Sequence, residues 1–358
     1  MPLSFHASKL ARICLSGFLL EVCLALVGFA QKNENGSPSP QTRFQEALQR
    51  SEAGEIKSAL EMVENLLRED PANFSARMLE AHLLEQDNRL VEAQQAYEEA
   101  LGLLPNDPEI LYRFGCHWLL RTEWEKAIQA LQKSLQFRPR HKETLYYLAQ
   151  AYHLQGDESR ALKAIENARN VAPESASILR KKGQILMGLG RYANALPCLL
   201  QAQRIDPSLA DVDREIGKSF LYLMDIPNAI SYLEKASQKN PADLYGLFLL
   251  AESNARLSRW GEARAIYQRI VEREPNNSLA HLGLGQSLVG LKDFAAAILP
   301  LRRALELDSK QIDVHFQLSK AYRALGRIQE AEQEMKQFQV LKDRLSSASD
   351  THRNPERK

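Results

Sequence analysis

The sequence predicts an all-α fold, an α-solenoid of about nine helix-turn-helix units of 34 residues each. Seven prolines recur at intervals of 34 residues from Pro71 to Pro275, and Ser309 occupies the next expected position. When Pro71 is taken as position 32 of its unit, nine units tile residues 40–345 without an insertion. Apolar residues recur at helical spacing within the units, and paired helices of this kind bury their apolar faces by stacking on neighbouring pairs.

Three positions of the repeat are restricted in residue type. Position 8 is always small and position 24 is always apolar, while position 20 is alanine in every unit. Bulky side chains at positions 8 or 20 would overpack the contact between the two helices, typically at a cost of about 1–3 kcal/mol. We therefore assign a structural role to the nine position-20 residues: Ala59, Ala93, Ala127, Ala161, Ala195, Ala229, Ala263, Ala297 and Ala331.

Glycine and proline mark the two turns of the repeat. The break between the two helices of a unit holds glycine in four units, where it can end a helix with a positive φ: Gly54, Gly156, Gly190 and Gly326. The proline column marks the break between units, with a capping residue such as Asp107 nearby. Pro197 and Pro300 are interpreted as helix-start residues, where a missing N–H costs least, and a functional kink is the alternative.

The pattern of residues 1–30 is typical of a secretory signal peptide. Lys9 and Arg12 form a positive n-region, an apolar stretch follows, and small residues near Ala30 suit cleavage after it. The alternatives are an uncleaved signal anchor over residues 13–30 and a cytosolic protein with an unusual N-terminus. Both main interpretations place the repeats across a membrane. We therefore expect an exported protein in a bacterial periplasm or at a cell surface.

Composition limits the classes of partner. Lys and Arg total 46 against 45 Asp and Glu, and this balance argues against nucleic acid as the main partner.

Residues 31–39 are expected to be a linker, and residues 346–358 a disordered polar tail. Cys116 and Cys198 lie two stacked units apart, farther than the roughly 7 Å between Cα atoms that a disulfide spans, so we expect both to be unpaired.

The repeat resembles the tetratricopeptide repeat superfamily. The resemblance covers residues 40–345 and rests on the small residue at position 8, alanine at 20, an aromatic or aliphatic residue at 24 and proline at 32. It implies a right-handed superhelix in which the first helix of each unit lines a concave groove that holds peptides or protein segments. Positions 2, 5, 6, 9, 12 and 13 of the first helix tend to face this groove in the family.

The candidate peptide-binding residues at these positions are aromatic toward both ends of the array and basic in its centre. They are Tyr112, Tyr146, Tyr147, Arg180, Lys181, Arg214, Lys218, Phe248 and Phe316. The hypothesis is that the aromatic residues take apolar side chains and the central cations take a carboxylate. The alternative is packing between helices for the aromatic residues and a solvated face for the cations. The carboxylate clamp of chaperone-binding repeat proteins is not expected, because its asparagines are missing: Gln184 and Lys218 stand at position 9.

Motifs for catalysis or metal binding are not found in the sequence. The glycine-rich stretch from Gly283 to Gly290 superficially resembles a phosphate loop, but it lies in a predicted first helix and lacks the lysine of such loops, which favours a packing role. The histidines and cysteines form no metal-ligand spacing. We therefore expect no enzymatic activity, no cofactor and no metal.

The function predicted from the sequence is an exported, non-enzymatic scaffold that binds a peptide or protein segment of unknown identity. Nucleic acid is not expected as a partner, and membrane contact is expected only through an uncleaved N-terminal segment. One alternative is an accessory subunit that recruits substrate or partner for an envelope glycosyltransferase or for a polysaccharide or protein export system. Another is a membrane-tethered assembly factor.

Overall fold

A computed structural model describes residues 39–353, with side chains described as far as Arg344. Within this range the regular structure is entirely helical, which confirms the all-α fold class. The eighteen helices are α1 (Pro40–Glu52), α2 (Ile56–Glu69), α3 (Phe74–Gln86), α4 (Leu90–Leu103), α5 (Pro108–Leu120), α6 (Trp124–Phe137), α7 (Lys142–Gln155), α8 (Glu158–Val171), α9 (Ala176–Gly188), α10 (Tyr192–Ile205), α11 (Val212–Tyr222), α12 (Ile226–Lys239), α13 (Leu244–Arg256), α14 (Trp260–Arg273), α15 (Ser278–Gly290), α16 (Phe294–Leu307), α17 (Ile312–Ala324) and α18 (Ile328–Arg353). Odd numbers are the first helices of the units and even numbers are the second helices.

The helices form two compact bodies, one up to Leu189 and one from Gly190 onward. The first body holds α1–α9 and the second holds α10–α18. Within each body, the second helix of a unit contacts the first helix of the next unit, and neighbouring first helices also contact each other. The first helices therefore form one continuous surface in each body, which we call the first-helix face.

Small residues bring the paired helices close together. The nine alanines at position 20 are all fully buried. At three of the glycines at position 8, the neighbour is the leucine at position 24 of the same unit. A Cβ atom on Gly115, Gly217 or Gly285 would lie 2.4–2.7 Å from side-chain atoms of Leu131, Leu233 and Leu301, respectively. Each glycine thus provides the space that its leucine fills.

The turn between units is a β-turn, and seven of the eight described turns have proline at the second position. In the first of these turns, the N–H of Asn73 donates to the carbonyl of Asp70 at 3.1 Å, and Pro71 lies between them. Its ring fixes φ at the value that the second position of such a turn requires. The same hydrogen bond recurs at every one of the eight inter-unit turns in the described range. As predicted, Asp107 caps the helix that follows its turn, accepting from the N–H groups of Glu109 and Ile110.

The turn inside each unit places position 15 in the left-handed region of φ. All four glycines predicted there have positive φ, between 70° and 87°. In the other five units a residue with a side chain takes the same conformation, with φ between 57° and 63°: Asn88, Thr122, Met224, Ser258 and Lys292. The repeat therefore imposes this backbone geometry even where the residue type opposes it, as it does most for the β-branched Thr122.

The interpretation of Pro197 and Pro300 as helix-start residues is wrong. Every second helix begins at position 17 of its unit, so α10 begins at Tyr192 and α16 at Phe294. Both prolines therefore lie inside their helices, where each lacks the N–H that would otherwise bond to the preceding turn.

Several predictions concern the ends of the chain. The predicted signal peptide at residues 1–30 and nearly all of the linker at residues 31–39 lie outside the described residues. At the other end, α18 continues to Arg353, past the predicted end of the last unit at residue 345. Between residues 39 and 353, the structure has no helix with the length and apolarity to cross a membrane. Cys116 and Cys198 form no disulfide with each other, as predicted.

Candidate peptide-binding site

The first-helix face of the first body carries the predicted tyrosines. Tyr112 on α5 and Tyr147 on α7 are buried, with 6% and 4% of their surface exposed, and their ring centroids lie 5.9 Å apart. Tyr146 is half-buried, and the Lys181 ammonium lies 5.7 Å from the centroid of its ring. Tyr112 and Tyr147 therefore pack between helices, whereas Tyr146 and Lys181 reach the surface. Arg180 is half-buried beside Lys181 on α9.

In the second body the predicted residues lie at three places along the first-helix face. Arg214 and Lys218 lie together on α11. Phe248 on α13 is half-buried, with its ring centroid 5.7 Å from that of Tyr267. Phe316 on α17 is 38% exposed. The basic site on α11 is therefore separate from the aromatic residues on α13 and α17, each of which pairs with another ring: Phe248 with Tyr267 and Phe316 with Phe338.

Three tyrosines surround Lys218, and we call Tyr192, Lys218, Tyr222 and Tyr245 the tyrosine–lysine cluster. The Lys218 ammonium lies 5.9 Å from the ring centroid of Tyr222 and 5.5 Å from that of Tyr245. Tyr192 stacks on Tyr222 with ring centroids 4.3 Å apart and an interplanar angle of 7°. Tyr222 and Tyr245 are 56% and 50% exposed, and they are the two most exposed of the eleven tyrosines. The cluster thus presents aromatic surface on both sides of a cation.

The two cations of α11 differ in their electrostatic environment. Arg214 donates to Asp243 Oδ2 at 2.6 Å, and its guanidinium also lies 3.3 Å from Asp211 Oδ1. Within the described residues, Lys218 has no carboxylate within salt-bridge distance. Partial burial lowers the pKa of Lys218, but its hydrogen bond with Tyr245 and the nearby tyrosines together raise the pKa above its ordinary value. The lysine therefore stays protonated, and its charge is not neutralised by an acidic neighbour.

The backbone next to the cluster departs from the repeat. Every other first helix begins at position 1 of its unit, whereas α11 begins at position 3 with Val212. Asp211 immediately precedes it with φ 63°, a left-handed conformation that costs about 1 kcal/mol or more for a residue with a side chain. This conformation accompanies the contact between the Asp211 carboxylate and Arg214.

Arg214 and Lys218 were predicted from the sequence, whereas the three tyrosines were not. Tyr222 stands at position 13 and Tyr245 at position 2, both groove-facing positions in the resembled family, so position and residue type together could have found them. Tyr192 stands at position 17, the first residue of a second helix. Nothing in its position indicates that it stacks on Tyr222.

A second set of ionisable residues is buried between α3 and α5. His117 is fully buried, its Nδ1 lies 2.9 Å from Glu85 Oε1, and its Nε2 has no hydrogen-bond partner. Burial raises the pKa of Glu85, although the hydrogen bond to His117 opposes this effect. Burial and, to a smaller extent, the nearby positive charge of Arg113 together lower the pKa of His82 to about 4. These side chains lie in the interior of the first body, so they affect its stability rather than its surface.

Two shallow clefts lie outside these sites. One, of about 460 Å³, is formed by the turn from Gln155 to Arg160 together with Leu189. The other, of about 550 Å³, is bordered by Asp213, whose carboxylate lies 2.5 Å from Lys239 Nζ. In the described part of the chain, no three His, Cys, Asp or Glu side chains are grouped so that they could hold a metal ion.

Comparison with protein families finds repeat families along most of the chain. Models described as tetratricopeptide repeat match residues 51–112 and, in three overlapping segments, residues 214–278, 256–312 and 282–343. A model described as anaphase-promoting complex, cyclosome, subunit 3 matches residues 121–202. A search of the curated proteins finds no significant match.

Solved structures of repeat proteins share the fold. A tetratricopeptide repeat protein from Parabacteroides merdae is 16% identical, with a TM-score of 0.55 over 70% of this chain and 98% of that one. PilF from Pseudomonas aeruginosa is 17% identical, with a TM-score of 0.54 over 61% of this chain and 97% of that one. The Cut9–Hcn1 hetero-tetramer of the APC/C matches at 16% identity and a TM-score of 0.55, over 74% of this chain and 52% of that one. The chain thus spans about half the length of this last relative, and at such identities the likeness concerns the fold alone.

Proposed function

Because the chain belongs to the tetratricopeptide repeat superfamily, we propose that it is a non-enzymatic scaffold that binds a peptide or protein segment on its first-helix face. Repeat arrays of this kind present extended surfaces on which a partner segment can lie. The partner is a protein, and its identity is open.

The tyrosine–lysine cluster is the observation that carries this proposal. Tyrosine supplies a large apolar surface with few rotatable bonds, and it is enriched at protein interfaces for this reason. Tyr222 and Tyr245 are the two tyrosines that the fold leaves exposed, and they lie on neighbouring first helices, α11 and α13. A segment laid along this face would contact both rings.

Replacing these two rings tests the proposal. Peptides selected from a random phage-displayed library against the full chain are expected to bind the Tyr222→Ala/Tyr245→Ala variant about tenfold more weakly than the wild type, because the variant loses the aromatic contact area. Fluorescence anisotropy of labelled peptides gives the dissociation constants. Leu299→Ala is the matched control, because Leu299 is 78% exposed on a second helix, α16.

The outcomes of this experiment are distinct. Unchanged affinity in the double variant would move the binding surface away from the cluster. Loss of affinity in Leu299→Ala as well would indicate a general effect on the fold, which circular dichroism of each variant would detect. If the library yields no binding peptide, peptide recognition by this face is contradicted.

We also propose that the repeats are exported to a periplasm or a cell surface. The support is in the sequence alone: a positive n-region with Lys9 and Arg12, an apolar stretch, and small residues before the expected cleavage site at Ala30. N-terminal sequencing of the protein purified from its native source is expected to begin at Gln31. A chain that begins at Met1 and fractionates with membranes would favour the uncleaved anchor, and one that begins at Met1 in the soluble fraction would contradict export.

A further inference from the structure

We propose that Lys218 binds the carboxylate of an acidic side chain within the partner segment, and that the tyrosine–lysine cluster is therefore a carboxylate-binding subsite. This inference rests on the proposed function, since it specifies the chemistry of a segment bound on the first-helix face. It differs from the carboxylate clamp described above, because it uses one lysine at position 9 and tyrosines at positions 2, 13 and 17.

Comparison of the two cations on α11 selects Lys218. The Arg214 guanidinium already contacts two carboxylates, those of Asp211 and Asp243. A ligand carboxylate that binds Arg214 would have to displace one of these two carboxylates or come close to both of their negative charges. No carboxylate contacts Lys218 within the described residues, so a carboxylate from outside meets no such competitor at this lysine.

The surroundings of Lys218 favour an anion over a cation or a neutral group. The lysine is half-buried, and its pKa is nevertheless raised above the ordinary value, so the side chain stays charged. Its ammonium already lies against the rings of Tyr222 and Tyr245, so a ligand cation there would meet a like charge. A carboxylate would instead form a charge-assisted hydrogen bond, which is stronger in a partly desolvated site than in water.

The exposed rings on both sides indicate a carboxylate within a segment rather than at its end. Tyr222 lies on the same helix as Lys218, and Tyr245 lies on the next first helix. A chain that places an acidic side chain at Lys218 can continue in both directions over an exposed ring. A terminal carboxylate would leave one of the two rings uncovered.

Two degenerate peptide libraries test the subsite. Each has randomised positions on both sides of one fixed central residue, glutamate in one library and glutamine in the other, with acetylated and amidated ends. A third library has glutamine at the centre and a free C-terminal carboxylate. We expect the full-length wild type to retain the glutamate library about tenfold more than either of the others, as one charge-assisted hydrogen bond allows.

The matched variants are Lys218→Met and Lys320→Met. Lys320 also stands at position 9 of its unit and lies 5.9 Å from the ring centroid of Phe316, but it has a single ring beside it. We expect Lys218→Met to retain the glutamate and glutamine libraries equally, and Lys320→Met to keep the wild-type preference. Circular dichroism confirms that both variants fold.

Each contrary outcome has a defined meaning. Equal retention of the glutamate and glutamine libraries by the wild type overturns the subsite while leaving peptide binding in place. Preference for the free C-terminal carboxylate overturns the assignment to an acidic side chain. A glutamate preference that persists in Lys218→Met also overturns the proposal. Retention of none of the libraries by the wild type contradicts the proposed function, and the subsite fails with it.

Discussion

Lowering the pH from 7 to 4 is expected to remove about 3 kcal/mol of stability from the first body through His82 alone. The buried imidazole has a pKa of about 4 in the folded chain, against 6.5 for an unperturbed histidine. Below pH 6.5 the unfolded chain therefore binds a proton that the folded chain does not, and each pH unit costs about 1.4 kcal/mol. The loss occurs between pH 6.5 and 4, and stability rises again as the pH is raised through this range.

Urea unfolding at several pH values, followed by tryptophan fluorescence, measures this effect against His82→Gln. The variant lacks the titrating ring and is expected to have a flatter pH dependence. Glu85 acts in the opposite direction, because its raised pKa lets the folded chain take up a proton before the unfolded chain does. The difference between wild type and variant therefore isolates His82, and identical slopes for the two proteins would contradict the prediction.

Gly283→Ala is expected to destabilise the second body by about 1–3 kcal/mol, although alanine is the better helix former by about 1 kcal/mol. A Cβ at this position would lie 2.3 Å from Cζ of Tyr267, whose ring is buried on the neighbouring α14. The two other glycines of this stretch also adjoin side chains, Gly285 that of Leu301 and Gly290 that of Trp260. The stretch that superficially resembles a phosphate loop is thus a helix with glycines at three close contacts.

Gly261→Ala is the matched control for this substitution. It lies in a helix of the same body, and a Cβ there would meet nothing within 4 Å. Chemical denaturation is expected to show a small gain for this variant, up to about 1 kcal/mol, and a loss for Gly283→Ala. A gain in stability in both variants would show that helix propensity, and not the ring of Tyr267, determines the result.

Periodicity accounts for most of what the sequence predicted about the fold. The spacing of the prolines predicts the position of each turn that joins two units. The recurring alanine at position 20 predicts where the two helices of a unit make their close contact. The glycines of four units and Asn88 are residue types that favour positive φ at position 15. In the remaining four units only the register indicates it, because residues such as Thr122 and Met224 disfavour that conformation. Register would also have placed Pro197 inside its helix, since every second helix begins at position 17.

The candidate site was less predictable because it depends on contacts between units. Periodicity shows that Lys218 and Arg214 share a helix face, one turn apart. It does not show that Arg214 donates a hydrogen bond to Asp243, the last residue of the unit. Nor does it show that Tyr192 stacks on Tyr222. These contacts depend on side-chain conformations and on the irregular start of α11, which no residue pattern specifies. The exposure of Tyr245 likewise follows from the packing of neighbouring first helices.

The pairing of positions 8 and 24 limits how these repeats can be recombined. Each glycine at position 8 is followed sixteen residues later by leucine, whereas each alanine is followed by valine, isoleucine or tyrosine. A first helix with alanine joined to a second helix with leucine would bring a methyl group against the leucine side chain, and the reverse exchange would leave space unfilled. Whole units of 34 residues can therefore be duplicated or exchanged with their internal contact intact, whereas a single helix can be exchanged only with one from a unit that carries the same pair.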